Sequence, residues 1–228
     1  MIVAIDGPAG SGKSTTAREV ARRLGYLHMD SGAFYRALTH ALLSAGAPER
    51  SWESLAAEDL DRLRVRGEAG DDGLRMTVAG SAVGPELRTP DVNAHVSRVA
   101  SIPAVRSWLL DRLRDLAGSA DVVADGRDIG TIVFPDADVK VFLVADPEAR
   151  ARRRLLEFGI GEPDRETLLA EVRRLMERDR KDSEREVAPL RAAEDAIKVD
   201  TTSLTFDEQV AAILELVRGR QPAERPGF

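Results

Sequence analysis

The sequence contains no cysteine, which rules out a disulfide framework and any thiolate metal site. Its three histidines, His28, His40 and His95, are scattered and lack ligand spacing. No stretch approaches the roughly 20 consecutive apolar residues of a membrane-spanning helix. The opening MIVAIDG passes directly into a strand-like run, with neither a basic region nor a long apolar stretch, which predicts a cytoplasmic chain with no membrane partner. Net basicity is missing too: 33 Lys and Arg face 39 Asp and Glu, a formal charge of −6. A general nucleic-acid binder presents a net basic face, so no nucleic-acid partner is expected and any anionic ligand must be held by local clusters. Lysine occurs only at 13, 140, 181 and 198, and Asn93 is the sole asparagine.

What is present suits one enlarged α/β domain spanning 1–228: 43% hydrophobic residues supply a core and 32% charged residues a solvated exterior. Buried-type strand runs lie at Ile2–Ile5, Val122–Ala124, Val139–Val144 and Ile197–Val199. Helical patterns fill Ser14–Leu24, Ala33–Ser44, Val105–Leu116, Pro147–Glu157, Arg165–Arg180 and Phe206–Arg218. Strands alternating with helices predict βαβ crossovers and a parallel sheet. From Arg62 to Pro85 the pattern changes to alternating polar and apolar residues punctuated by Gly70, Asp71-Asp72-Gly73 and Gly80-Ser81, which predicts a small antiparallel insertion with tight turns. The tail from Gln221 is Pro-rich and polar and is expected to fray.

Residues 7–14 read GPAGSGKS, the G-x-x-x-x-G-K-[ST] phosphate loop, in the required frame of preceding strand and following helix. Its glycines let successive N–H groups point at phosphate oxygens, and the helix N-terminus adds its positive end. The ATP-binding set is therefore Gly7, Pro8, Ala9, Gly10, Ser11, Gly12, Lys13, Ser14 and Thr15. Lys13 is suited to bridge the β- and γ-phosphates, and the Ser14 hydroxyl to ligate Mg²⁺. A GTPase switch needs an N-K-x-D segment, yet Asn93 is followed by Ala94-His95. An ATPase motor shows an apolar run ending in Asp-Glu, whereas here VVADGRD has glycine after Asp125.

Transfer to a nucleoside monophosphate needs no general base, because the acceptor phosphate, with a second pKa near 6, is largely ionised at neutral pH. It needs cancellation of repulsion between two polyanions and in-line positioning, hence arginines. Arg36 lies in DSGAFYR (30–36) and Arg127 in ADGRDIG (124–130), at strand ends beside glycines, where α/β sheets build their sites. Arg178, Arg180 and Arg185 fall in ERDRKDSEREVAPL (177–190); a solvated helix face with i,i+4 pairs is the commoner fate of such a run.

GPAGSGKS, DSGAFYR, LRTPDV (87–92), ADGRDIGTIVFPDA (124–137) and ERDRKDSEREVAPL occur in this order between Ile2 and Val217, and together they resemble the bacterial cytidylate kinases. Many members of that family carry glycine at the position of Ser14. The resemblance implies a P-loop NTPase fold: a five-stranded parallel sheet flanked by helices, with residues 46–92 as an inserted monophosphate-binding unit and 157–185 as a short lid. It implies a (d)CMP kinase that uses ATP and Mg²⁺, with Lys13, Arg127, Arg178 and Arg185 as catalytic residues. Ser31, Arg36, Arg127 and Arg185 match residues holding the acceptor phosphate, and Ser97, Arg106 and Asp128 those reading cytosine. Arg178 and Asp182 match contacts to the sugar and the transferring phosphate.

Cytosine chemistry agrees with the carry-over. Asp128 is suited to accept from the exocyclic amine, with Arg106 and Ser97 donating to the ring, whereas uracil opposes a carbonyl to the carboxylate. Two plainer readings stand beside it: Ser97 and Arg106 as helix-surface polarity, and Asp128 as an ion-pair orienter of Arg127. A kinase for AMP, UMP or shikimate, or a nucleotide-binding switch, are the competing functions. A monomer is expected.

Overall fold

The computed structural model describes residues 1–70 and 73–220. In its first half the chain runs β1 (Ile2–Asp6), α1 (Lys13–Leu24), β2 (Leu27–Asp30), α2 (Ser31–Ser44), α3 (Ala57–Arg62), β3 (Val65–Gly70), β4 (Gly73–Val78), β5 (Ser81–Ala82) and α4 (Pro90–Val99). It continues through α5 (Pro103–Ala117), β6 (Val122–Gly126), β7 (Val139–Val144), α6 (Pro147–Glu157), α7 (Arg165–Glu184), β8 (Ile197–Asp200) and α8 (Phe206–Arg218). The expected five-stranded parallel sheet forms in the order β2-β6-β1-β7-β8.

A parallel sheet is covered on both faces, which is why its strands read as continuous apolar runs. Alternation divides them: Val3, Ile5, Val123, Val141 and Leu143 pack with Ala17 and Val20 of α1 and Val210 and Ile213 of α8. Ala4, Met29, Val122 and Ala124 join Leu38 of α2 and Leu109 of α5 on the other face. The chain passes from β1 to β2 in one direction across the sheet and from β6 to β7 in the other. That reversal opens a crevice beyond the C-terminal ends of β1 and β6.

The antiparallel insertion is a three-stranded sheet, β3-β4-β5. Trp52, Leu60, Val65 and Met76 are buried in the same cluster as Phe34 and Leu38, so the insertion shares the core of α2. Each such side chain contributes roughly 1.5–3 kcal/mol on burial. The Asp71-Asp72 half of the expected turn and the tail from Gln221 lie outside the described residues.

Three elements escape the sequence pattern: β2, the short helix α3 and helix α4. β2 has only four residues, LHMD, with a histidine in its middle, too short and too polar to register as an apolar run. Asp30 ends it and also caps α2, accepting from the Ala33 N–H at 3.1 Å, so strand and helix share one residue as boundary. Helix α4 starts at Pro90, capped by Thr89, and carries Asn93 and Ser97. Helix α7 also runs four residues past the expected Arg180, to Glu184, which matters for the site.

Candidate active site

The phosphate loop links β1 to α1. Gly7 lies at φ 155°, and a Cβ there would stand 2.5 Å from the Leu143 carbonyl oxygen, so the loop's first position admits only glycine. Gly12, at φ 86°, is the residue before α1 and has no side-chain cap; the loop leaves the first N–H groups of α1 free for an anion. Inside the loop the Ser11 hydroxyl donates to the Pro8 carbonyl at 3.0 Å and Lys13 Nζ to the same oxygen at 3.3 Å. Burial, followed by the charge of Arg127, pushes the Lys13 pKa down to about 7.

Beyond Lys13 stand two strand-end carboxylates. The Ser14 hydroxyl donates to Asp125 Oδ2, and His28 Nε2 lies 2.9 Å from Asp125 Oδ1. Burial raises the Asp125 pKa, but the His28 hydrogen bond and the charge of Lys13 outweigh it and hold the carboxyl below its ordinary range. Asp30, paired in register with Asp125, is pushed up by burial and by the Asp125 charge. At the end of β1, Asp6 accepts the N–H groups of Ile129 and Gly130, both at 2.8 Å. It thereby fixes the single π-helical turn, Ile129–Val133, that follows Arg127 and Asp128. Burial lifts the Asp6 pKa to about 6.

The opposite side of the crevice is basic. Arg36 Nη1 donates to the Leu87 carbonyl at 3.0 Å and to Asn93 Oδ1 at 2.7 Å. Burial, with help from Arg178 and other guanidinium groups, pushes its pKa down to about 9. Arg127 Nε donates to Asp182 at 2.9 Å and Nη1 to the Gly7 carbonyl at 3.1 Å. Arg106 is buried, donating to the Ala100 carbonyl at 3.0 Å and to Asp128 Oδ2, with its guanidinium carbon 5.6 Å from the centre of the Tyr35 ring. Arg185 Nη2 is 3.8 Å from Asp128 Oδ1. Among the described residues neither that nitrogen nor Arg178 Nε has a hydrogen-bond partner, though both are buried. Burial and then Arg127 bring the Arg178 pKa down to about 10. Gly126 lets these groups crowd together: a Cβ there would stand 2.4 Å from Ser31 Oγ, which itself donates to the Asp125 carbonyl at 2.9 Å.

These groups surround one cleft of about 430 Å³. All the residues singled out for the acceptor line it, Ser97 and Asp182 included, as does the loop from Ala9 to Thr15 apart from Ser11. Gly7, Pro8 and Ser11 do not line it; Gly7 and Ser11 are buried, Pro8 is half-buried, and they shape the loop. The ion-pair orienter of Arg127 is Asp182, 55 positions away in sequence, and not the adjacent Asp128. Asp128 instead faces Arg106 and Arg185. Arg106 is core-buried and so is not helix-surface polarity. Arg180, by contrast, is exposed and pairs with Glu177 and Glu184, the solvated fate expected of the run.

Sequence reasoning missed Arg88, Arg154, Tyr35 and Phe158, which also line the cleft. Arg88 stands in the LRTPDV motif and Tyr35 in DSGAFYR, the signals available in the sequence. Arg154 sits 4.6 Å from the Phe158 ring centre, inside a run of arginines that reads as an ordinary helix surface.

A parallel sheet with a glycine phosphate loop at its switch point, facing a cleft of partly unpaired arginines, defines a phosphotransferase of the P-loop fold class. The family model described as cytidylate kinase matches residues 3–219, and the chain belongs to the cytidylate kinase family. Among its relatives, the cytidylate kinase of Limosilactobacillus reuteri is 44% identical over 96% of this chain and 96% of its own length. That of Exiguobacterium sp. is 46% identical over 94% and 95%, and that of Lactobacillus johnsonii 41% over 97% and 95%. A solved structure, an uncharacterized protein from Eubacterium ventriosum, aligns with TM-score 0.51 at 14% identity, covering 96% of this chain and 99% of that one; the likeness is one of fold.

Proposed function

We propose that this chain phosphorylates CMP and dCMP, moving the γ-phosphoryl group of ATP directly to the acceptor 5′-phosphate without a covalent intermediate. The observation that carries the reading is the set of arginines opposite the phosphate loop, two of which bury nitrogens with no hydrogen-bond partner among the described residues. A buried donor left unpaired is costly, and a doubly charged phosphate group seated between Arg36, Arg127, Arg178 and Arg185 satisfies it with charge-assisted bonds.

Lys13 and the loop N–H groups hold the β- and γ-phosphates. Arg127 and Arg178, next to Lys13 in the electrostatics of the site, offset the charge that spreads over the transferring group. Ser31 and Arg36 seat the acceptor phosphate; Ser97, Arg106 and Asp128 read the cytosine edge; Asp182 orients Arg127 and meets the sugar. The hydroxyl of Ser14 and carboxylate of Asp125 are adjacent hard oxygen donors, which fits Mg²⁺. When bound, the ion neutralises phosphate charge. We read residues 1–228 as one catalytic domain acting as a cytoplasmic monomer, residues 46–92 as the monophosphate-binding unit and 157–185 as the lid.

A coupled assay across CMP, dCMP, UMP, AMP and shikimate tests this. Preference for CMP and dCMP is expected. Preference for another acceptor overturns the base assignment, and no turnover with any of them overturns the kinase reading.

A further inference from the structure

The contact between Ser14 and Asp125 has a third member on its far side. His28 sits in the middle of β2, only 5% exposed, and β2 pairs with β6 so that His28 is opposite Val123 and Asp30 opposite Asp125. Side chains two apart on a strand share a face, so His28, Asp30, Val123 and Asp125 all point to the side covered by α1. Elsewhere that face is aliphatic: Val3, Ile5, Val123 and Val141. An imidazole buried there is unfavourable unless its polar atoms are paired. Its partner is Asp125 Oδ1, at 2.9 Å, while Asp125 Oδ2 takes the Ser14 hydroxyl. A carboxylate can only accept, so Nε2 carries the proton of this bond.

We infer that His28 is a positioning residue for the Mg²⁺-facing pair Ser14 and Asp125, holding the Asp125 carboxylate so that its other oxygen meets the Ser14 hydroxyl and the cleft. The inference rests on reading the cleft as a Mg²⁺–nucleotide site. Asp125 is 1% exposed and lies beside a second carboxylate, Asp30. Without the His28 donor, Oδ1 is a buried acceptor with no protein partner among those described, and repulsion from Asp30 is free to turn the group. Outer partners of this kind typically alter metal affinity about 10- to 100-fold.

Two amide substitutions isolate the role. His28→Gln places an N–H donor near the position of Nε2; His28→Asn places its amide near Nδ1, out of reach of Asp125. Both keep a polar side chain at the same site, so a general loss of stability affects them alike. The readout is the dissociation constant for ADP, measured by calorimetry once with Mg²⁺ and once with EDTA. His28→Asn is expected to weaken binding about tenfold with Mg²⁺ while changing the EDTA value less than about twofold; His28→Gln stays within about threefold of wild type in both. Equal behaviour of the two variants, or parallel losses with Mg²⁺ and EDTA, overturns the positioning role. A wild-type protein whose ADP affinity ignores Mg²⁺ overturns the metal reading itself, which separates the two failures.

Discussion

Asp182 of α7 holds Arg127, which directly follows β6, through a 2.9 Å bond from Nε; both side chains are largely buried. The bond ties α7 to the end of a central strand. It also leaves Arg127 Nη1 on the carbonyl of Gly7, the first residue of the phosphate loop. The phosphate loop, the end of β6 and α7 thus meet at one guanidinium group.

That arrangement makes Arg127 and Asp182 a coupled pair. Arg127→Met is expected to lower kcat and weaken CMP binding together, and Asp182→Asn to do the same by releasing the guanidinium. Because each acts through the other, the double variant should fall short of the sum by about 1 kcal/mol or more. Steady-state kinetics on the four proteins check this; single variants within about twofold of wild type, or additive losses, contradict it.

Lys13 carries a pH signature. In the free protein burial and then Arg127 hold its pKa near 7, so above that pH it is increasingly neutral. The polyphosphate of a bound adenine nucleotide favours the ammonium and raises the pKa, so nucleotide binding takes up a proton. Affinity for ADP should therefore fall between about pH 7 and 9, by up to tenfold per pH unit. Calorimetry at pH 8 in HEPES and in Tris should show different heats, the mark of proton uptake. Lys13→Ala should lose that difference and all measurable phosphoryl transfer while keeping its circular dichroism spectrum.

In the proposed reading, base choice rests on the buried pair of Asp128 and Arg106. Asp128→Asn replaces an acceptor-only carboxylate with an amide able to donate to the uracil C4 carbonyl. A lost charge-assisted hydrogen bond is worth roughly 1.5–3 kcal/mol, so kcat/KM for CMP should drop about one to two decades, with UMP losing less or gaining. Assays of both substrates on one preparation decide it. An unchanged ratio removes Asp128 from base reading and leaves it as a partner of Arg106.

The segment between α6 and α7 should respond to substrates. Phe158 and Ile160 are exposed at 48% and 40%, yet Phe158 and Arg154 border the cleft, so closure there can cover apolar surface and exclude water from the γ-phosphate. Hydrogen exchange across 158–185 should slow when CMP and a non-hydrolysable ATP analogue bind together. Equal exchange with and without the ligands indicates a rigid, preformed site.

The sequence by itself determined what is local. The phosphate loop was legible because its conformation depends on neighbouring glycines, one strand and one helix. The parallel sheet was legible because strands buried on both faces must be apolar throughout, and the insertion because its alternation and turns are short-range. Tertiary structure decided what depends on distant partners. Arg178 and Arg180 are two positions apart on α7, yet one buries a nitrogen at the cleft and the other pairs with Glu177 and Glu184 in solvent. Only the packing of α7 against the rest of the chain distinguishes them, since a rotation of about 200° separates their directions. The choice of Asp182 over Asp128 as the partner of Arg127, and the pairing of His28 with Asp125 across 97 positions, likewise came from the fold: burial removes water as an alternative partner, and each charge then takes whichever group the packing brings within reach.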